Sequence, residues 1–381
     1  MRISGLIISA VCSVLMISAA DYERIYAESF PEPGAKAAVL AEASTGRVIY
    51  EKNSDEKLSM ASTTKIMTVL LCLESGDLDE EFTVDPEAIK VEGSSMGLRE
   101  GDVVSKRDLC IGMLLPSGND AANAAAVKIA GNIKDFAVMM NKRAQEIGMT
   151  RSCFVTPSGL EAPGHGTSAH DMFLLAREAL KNEDFRAICS QKSMKLTFGN
   201  PPYERWLKNT NRLLSEYDGV NGVKTGFTDE AGKCLISSCE RNGVSLICVT
   251  LNDPNDRADH AAMYDYGFAH TVSAELPAGE HFADVAGGKS EKVSISSGQT
   301  IPVGVIDGEV PELTEKTYIV PFLYAPVKKG TYAGYTEYYC DGVLVCRHEL
   351  YTDVSVEADR GNRTVFQKIS DLAGKIIRRF V

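Results

Sequence analysis

An Asn-Gly pair at Asn242-Gly243 joins two apolar runs that together extend from Leu235 to Leu251. Asn-Gly supplies the two left-handed residues that a tight hairpin needs, so the runs are predicted to lie side by side as antiparallel strands. Near the other end of the same segment, Ala37 to Asn53 reads as a second hairpin. There Ala38-Val39-Leu40 leads through the turn Ser44-Thr45-Gly46 into Val48-Ile49-Tyr50. Between the hairpins the apolar period changes from two to that of a helix. Ile66, Val69, Leu70 and Leu73 mark one buried face of a helix over 62–75, with Gly76 as its stop. Residues 105–147 are predominantly helical, broken at Pro116-Ser117-Gly118, and 257–270 forms a closing helix. Strands at both ends with helices between predict one α/β (α+β) unit over 31–272, built on a mostly antiparallel sheet with a helical subdomain.

The texture changes from about residue 275. Runs such as Lys292-Val293-Ser294-Ile295, Thr317-Tyr318-Ile319-Val320 and Val343-Leu344-Val345-Cys346 alternate with Gly, Asp-Gly and Pro turns, which predicts a small all-β domain over 275–357. In 360–381, Val365, Phe366, Ile369, Leu372, Ala373, Ile376, Ile377 and Phe380 recur at helical spacing. Six basic residues there face one acid, Asp371. Such a basic amphipathic helix is expected to lie on an anionic membrane surface, the alternative being a helix docked on protein. At the other end, Arg2, the apolar Leu6 to Ile17 and the small Ser18-Ala19-Ala20 read as a secretory signal peptide over 1–20, against an uncleaved anchor as the alternative. The expected location is therefore outside the cell, peripheral on the outer face of the cytoplasmic membrane.

A net charge of -12 argues against nucleic acid as a partner. Ten cysteines become nine once Cys12 leaves with the signal, an odd number that suits buried thiols better than a disulfide framework. Cys234/Cys239 and Cys340/Cys346 remain open as pairs. No Cys-x-x-Cys occurs, and neither a metal nor a cofactor is expected.

Three short motifs carry the chemistry. Ser62-Thr63-Thr64-Lys65 opens the apolar-faced helix, so the Lys65 amine lies one turn from the Ser62 hydroxyl. A neutral Lys65, its pKa lowered by burial and a second cation, can serve as base to a Ser62 nucleophile. Helix capping is the competing reading of Ser62. The pattern alone is cheap, because Ser54-Asp55-Glu56-Lys57 repeats it in a polar turn. Ser117-Gly118-Asn119 brings a hydroxyl and an amide into a cleft, or is merely a turn. Lys224-Thr225-Gly226 reads as an edge strand. Lys224 and Thr225 can bind a carboxylate and Gly226 permits close approach of a substrate backbone, whereas a solvated lysine is the bland alternative. His165 and His170 lack a trustworthy ligand spacing, and Ser168 to Asp171 is read as the cap of a helix starting at Met172.

This order of motifs is that of penicillin-binding proteins and class A β-lactamases. Longer stretches, among them 44–50, 60–68, 114–122, 156–160 and 222–228, resemble the low-molecular-weight penicillin-binding proteins of the serine-type D-alanyl-D-alanine carboxypeptidase family. The resemblance implies a penicillin-binding/β-lactamase-like transpeptidase fold. It implies Ser62 as acylated nucleophile, Lys65 as base, Ser117 as proton relay and Asn119 as a peptide-positioning residue. Lys224 and Thr225 would hold the substrate carboxylate, and the backbone N–H groups of Ser62 and Phe227 an oxyanion. Phe227 departs from relatives with His there, without consequence if only its backbone serves. The implied partners are peptidoglycan stem peptides and, as covalent inhibitors, β-lactams. A β-lactamase would need a deacylating Glu, and Glu161 lacks the surrounding Glu-x-x-Leu-Asn pattern. A D,D-endopeptidase would share every catalytic residue. A non-catalytic penicillin-binding sensor or scaffold fits an intact nucleophile, base and carboxylate site less well.

Overall fold

A computed structural model describes residues 30–359; the expected signal segment 1–20 and terminal helix 360–381 lie outside the described residues. Two compact units divide at about residue 272.

The first unit is built on a five-stranded sheet. Its chain order begins with β1 (Ala37–Glu42) and β2 (Val48–Lys52), followed by a 3-10 turn at Ala61–Thr64 and α1 (Lys65–Glu74). Next come β3 (Glu81–Thr83), β4 (Val103–Ser105), α2 (Lys106–Leu114), α3 (Asn119–Ala130), α4 (Ile133–Ile147), α5 (Ala169–Ala179) and α6 (Glu183–Cys189). The hairpin β5 (Ser193–Gly199) and β6 (Pro202–Lys208) leads through α7 (Leu213–Glu216) to β7 (Val220–Thr228), β8 (Gly232–Arg241), β9 (Val244–Leu251) and α8 (Asp256–His270). The sheet order β2-β1-β9-β8-β7 is antiparallel throughout, so the first and last parts of the unit do meet at its centre.

Every residue of β1 is buried because both faces of the sheet are covered. Ala37, Val39 and Ala41 face a core shared with α1 to α6, while Ala38 and Leu40 face Met263 and Tyr264 of α8. The turn at Asn242 and Gly243 has φ of 50° and 78°, the two left-handed positions its sequence predicts. Helix α1 differs from expectation in two ways. It starts at Lys65, the preceding three residues belonging to the 3-10 turn, and Lys65 to Leu73 are buried all round. A helix buried on every side is a central core helix, which leaves the groups at its start dry. Ser105 caps α2 through a reciprocal box with Asp108. The next helical stretch breaks at 115–118 as expected, and again where Gly131 and Asn132 separate α3 from α4.

In the second unit, β10 (Thr271–Pro277) pairs with β13 (Thr300–Ile306). The strands β11 (His281–Ala286), β12 (Lys292–Ser296), β14 (Leu313–Ile319), β15 (Leu323–Tyr324), β16 (Tyr332–Cys340) and β17 (Val343–Thr352) form a six-stranded sheet, ordered β14-β16-β17-β12-β11-β15. All nine described cysteines are free. Cys234 and Cys239 lie an odd number of residues apart on β8 and so face opposite sides. Cys340 pairs across the ladder with Val343, and Cys346 with Tyr338, so neither of the pairs left open by the sequence forms. Among the described residues no helix is long and apolar enough to cross a membrane.

Candidate active site

Ser62 sits in the 3-10 turn and does not cap the helix; Met60 and Thr64 occupy the cap positions of turn and helix, with no side-chain cap bond at either. The turn is strained, because Ala61 has φ of 47°, a left-handed value that an alanine rarely adopts. Its neighbours hold it there. Thr63 Oγ1 donates to Met60 O (2.5 Å) and Thr64 Oγ1 donates to Ala61 O (2.8 Å), which gives both threonines of the motif a mechanical purpose. Gly159 closes over the same carbonyl: a Cβ there would lie 1.9 Å from Ala61 O.

Lys65 is fully buried, and its Nζ lies 2.9 Å from Ser62 Oγ, 2.7 Å from Asn119 Oδ1 and 2.6 Å from the carbonyl of Ser158. Burial, with Lys224 nearby, holds this amine well below the ordinary lysine range, Asp120 pulling the other way. A neutral amine has two N–H donors and one lone pair. Asn119 and Ser158 offer acceptors only at these positions, so they take the two donors, and the lone pair is left facing the Ser62 hydroxyl. That is the geometry of a general base.

The second motif supplies the brace. Ser117 has φ of 65° and is nearly buried at the break before α3. Asn119 Nδ2 donates to Glu92 O (2.7 Å), so the amide ties Lys65 to the loop over 92–98 while keeping a second N–H. Asp120, which the motif reading passes over, accepts from Ser95 Oγ (2.5 Å) and from the N–H groups of Met96, Gly97 and Leu98 at 2.9 to 3.1 Å. Its signal in the sequence is an acid in the first turn of a helix.

The third motif lies on β7, the sheet edge that passes Ser62. A Cβ on Gly226 would sit 3.0 Å from Met60 O and 3.1 Å from Ser62 N. The glycine therefore lets the strand, and not only a substrate, approach the Ser62 turn. Lys224, two residues back, projects from the same face, is 1% exposed and donates to Thr225 O (2.8 Å). It is no solvated lysine, and burial brings its pKa down to about 7. Thr225 Oγ1 is 2.7 Å from Thr210 Oγ1, and Phe227 is 65% exposed, so only its backbone is positioned by the sheet.

Two sequence alternatives separate cleanly. In the repeated pattern, Ser54 Oγ donates to Glu51 (2.6 Å) and Lys57 Nζ donates to Gly164 O (3.0 Å), with no bond between them. His165 is structural: its Nδ1 accepts from Val155 N (3.0 Å), and its Nε2 donates to Thr64 Oγ1 (3.0 Å), whose own hydrogen is committed to Ala61 O. Burial, and then Lys57, lowers its pKa to about 4. Ser168 caps α5, which begins at Ala169, three residues before the expected start; His170 lies in its first turn.

A D-alanyl-D-alanine carboxypeptidase family model matches residues 25–255, and a model of the penicillin-binding protein 5 C-terminal domain matches 276–358. D-alanyl-D-alanine carboxypeptidase DacF of Bacillus subtilis is 34% identical over 312 residues, covering 79% of this chain and 80% of the relative. The structure of penicillin binding protein 5 from Haemophilus influenzae superposes with a TM-score of 0.64 at 28% identity, over 87% of this chain and 99% of that one. The Streptomyces K15 DD-transpeptidase superposes with a TM-score of 0.61 at 31% identity, over 64% of this chain and all of its own.

Proposed function

The chain belongs to the D-alanyl-D-alanine carboxypeptidase family, serine peptidases that act on peptidoglycan stem peptides and are acylated by β-lactams, and on that premise we propose the role of each site residue. The observation that carries the assignment is the contact of 2.9 Å between the buried Lys65 Nζ and Ser62 Oγ, with the other two partners of the amine fixed.

The stem peptide lies along the open edge of β7, its terminal carboxylate held by the Lys224 ammonium and the Thr225 hydroxyl. The Ser62 hydroxyl proton passes to the lone pair of Lys65 as Oγ bonds to the carbonyl carbon of the penultimate D-alanine. The N–H groups of Ser62 and Phe227 stabilise the oxyanion. The C–N bond then breaks, and the proton on Lys65 travels through the Ser117 hydroxyl to the departing amine of D-alanine. Water hydrolyses the ester on Ser62 by the same base and restores the enzyme. Asn119 keeps Lys65 oriented, and its free N–H remains for the peptide.

Export, and attachment to the anionic outer face of the cytoplasmic membrane through 360–381, complete the proposal. They are supported by the signal-like N-terminus and by the basic amphipathic pattern of the tail. The test of the nucleophile is mass spectrometry of intact protein after benzylpenicillin and after a stem pentapeptide. The native chain gains one penicilloyl adduct and releases D-alanine; Ser62→Ala does neither. A Ser62→Ala protein that still acquired the adduct would refute the assignment.

A further inference from the structure

A cavity of about 400 Å³ opens beside the nucleophile turn. Ser59 to Ala61 form one wall, the loop from Gly159 to His165 the other, and Glu230 closes one end. Two acidic residues are among its lining, Glu161 and Glu230. Ser59 Oγ donates to Glu230 Oε1 (2.8 Å), which fixes that side chain. Among the described residues neither glutamate has an ion pair. Lys57, the cation beside this wall, donates to Gly164 O (3.0 Å) and keeps its charge, so it is one cation against the two glutamates. His165, in the same wall, is held neutral by burial and by Lys57.

The direction of the reaction says which part of a substrate reaches this cavity, an argument that rests on the functional reading above. Lys224, midway along β7, marks where the departing D-alanine carboxylate binds. Gly226 is level with Ser62 N, where the attacked carbonyl sits. Beyond it the chain runs through Thr228 to Glu230, on the side away from the leaving group. The residue preceding the two D-alanines is therefore carried toward Glu230, its Cα about 5 Å from the attacked carbon, one strand rise beyond the D-alanine that bears it. Its side chain is carried to a space lined by two glutamates, with Lys57 as the nearby cation.

We propose that this cavity is a subsite for the side-chain ammonium of the residue preceding D-Ala-D-Ala, with Glu161 and Glu230 as the groups that select it. An ammonium there meets two anions and the Glu230 carboxylate already oriented by Ser59. An acylated amine or an apolar chain of equal length forgoes the attraction of both anions. Neither glutamate touches the reacting atoms; both act on the recognition of one substrate over another.

The test uses two pentapeptides ending in D-Ala-D-Ala that differ only at the preceding residue, L-lysine in one and Nε-acetyl-L-lysine in the other. D-alanine release gives kcat/KM for each, at low and at high salt, with the native chain and with a Glu161→Gln/Glu230→Gln variant. The native chain is expected to prefer the free amine about tenfold, as for a charge-assisted hydrogen bond in a partly enclosed site, and less at high salt. In the double variant the ratio falls to about one. Benzylpenicillin labelling of Ser62 in the variant reports that the nucleophile turn is folded. Equal kcat/KM for both peptides in the native chain would overturn the subsite, and so would a preference that survives the double substitution. A native chain that released D-alanine from neither peptide and took no penicillin would remove the carboxypeptidase reading, and the subsite with it.

Discussion

At the scale of single residues, the proposed mechanism makes pH behaviour a matter of two buried lysines with lowered pKa values. Lys65 must be neutral to accept the Ser62 proton, so activity rises as pH climbs through its pKa. Lys224, brought down to about 7 by burial, must be charged to hold a carboxylate, so binding weakens as pH climbs past that value. The expected profile of kcat/KM is a bell whose alkaline limb belongs to Lys224. Lys224→Arg keeps a charge at every accessible pH, and its alkaline limb should vanish even where the absolute rate is lower. An unchanged limb in that variant would assign it elsewhere. Space is as tightly set as charge. Gly159 has φ of 87°, and its missing Cβ is occupied by the Ala61 carbonyl. Gly159→Ala is expected to cost about 2 to 4 kcal/mol in denaturant unfolding, through strain and the displaced turn. Penicillin acylation should slow with it, because the displaced atoms adjoin Ser62.

At the scale of elements, helix α8 is tied to the sheet by a dry polar cluster. Ser237 Oγ lies 2.6 Å from His260 Nδ1 and 2.7 Å from Tyr264 Oη, and Thr250 Oγ1 lies 3.0 Å from His260 Nε2. Burial lowers the His260 pKa to about 3 from an ordinary 6.5. A depressed folded-state value means that the unfolded chain binds the proton more readily. Stability is therefore full above about pH 6.5 and is lost as pH falls from there toward 3, at about 1.4 kcal/mol per pH unit. His165, lowered to about 4, acts in the same direction. Thermal unfolding followed from pH 7 to pH 4 should show this slope, and His260→Gln should flatten it while lowering stability at pH 7. A variant with the native slope would locate the acid sensitivity in other groups. Such clusters mark the limit of what the sequence declared. The Asn-Gly turn, the break at Pro116 and the motif order rest on local rules, and each appears where the chain announced it. The backbone carbonyl of Ser158 as partner to Lys65, Asp120 as clamp of 95–98 and Gly159 as lid on Ala61 join residues far apart in the chain. Ser158 and Gly159 use a main-chain atom and bare space, which leave no residue-type signal, and Asp120 shows only as an acid in a helix's first turn, which does not name its partners. The φ of Ala61 is similarly silent, because an alanine gives no warning of a left-handed position.

For the molecule as a whole, every group assigned to the chemistry comes from residues 62–227, inside the first unit. The K15 structure is matched over its whole length by 64% of this chain. In the proposed mechanism the second unit and the segment 360–381 contribute no reacting group. Residues 360–381 carry six basic residues against one acid in a chain whose net charge is -12, so an anionic surface attracts this segment and repels most of the rest. Apolar positions at helical spacing would add burial at the headgroup boundary, a contribution that salt does not screen. Truncation after Asp359 tests the proposed membrane contact separately from the proposed chemistry. The shortened protein should still be labelled stoichiometrically by benzylpenicillin, and the full chain alone should co-sediment with vesicles containing anionic lipid. Raising salt should weaken the full chain's binding without abolishing it, because only the electrostatic part is screened. Binding to neutral vesicles as strong as to anionic ones would assign the attachment to apolar burial. Equal co-sedimentation of the truncated protein would move the membrane contact out of the tail.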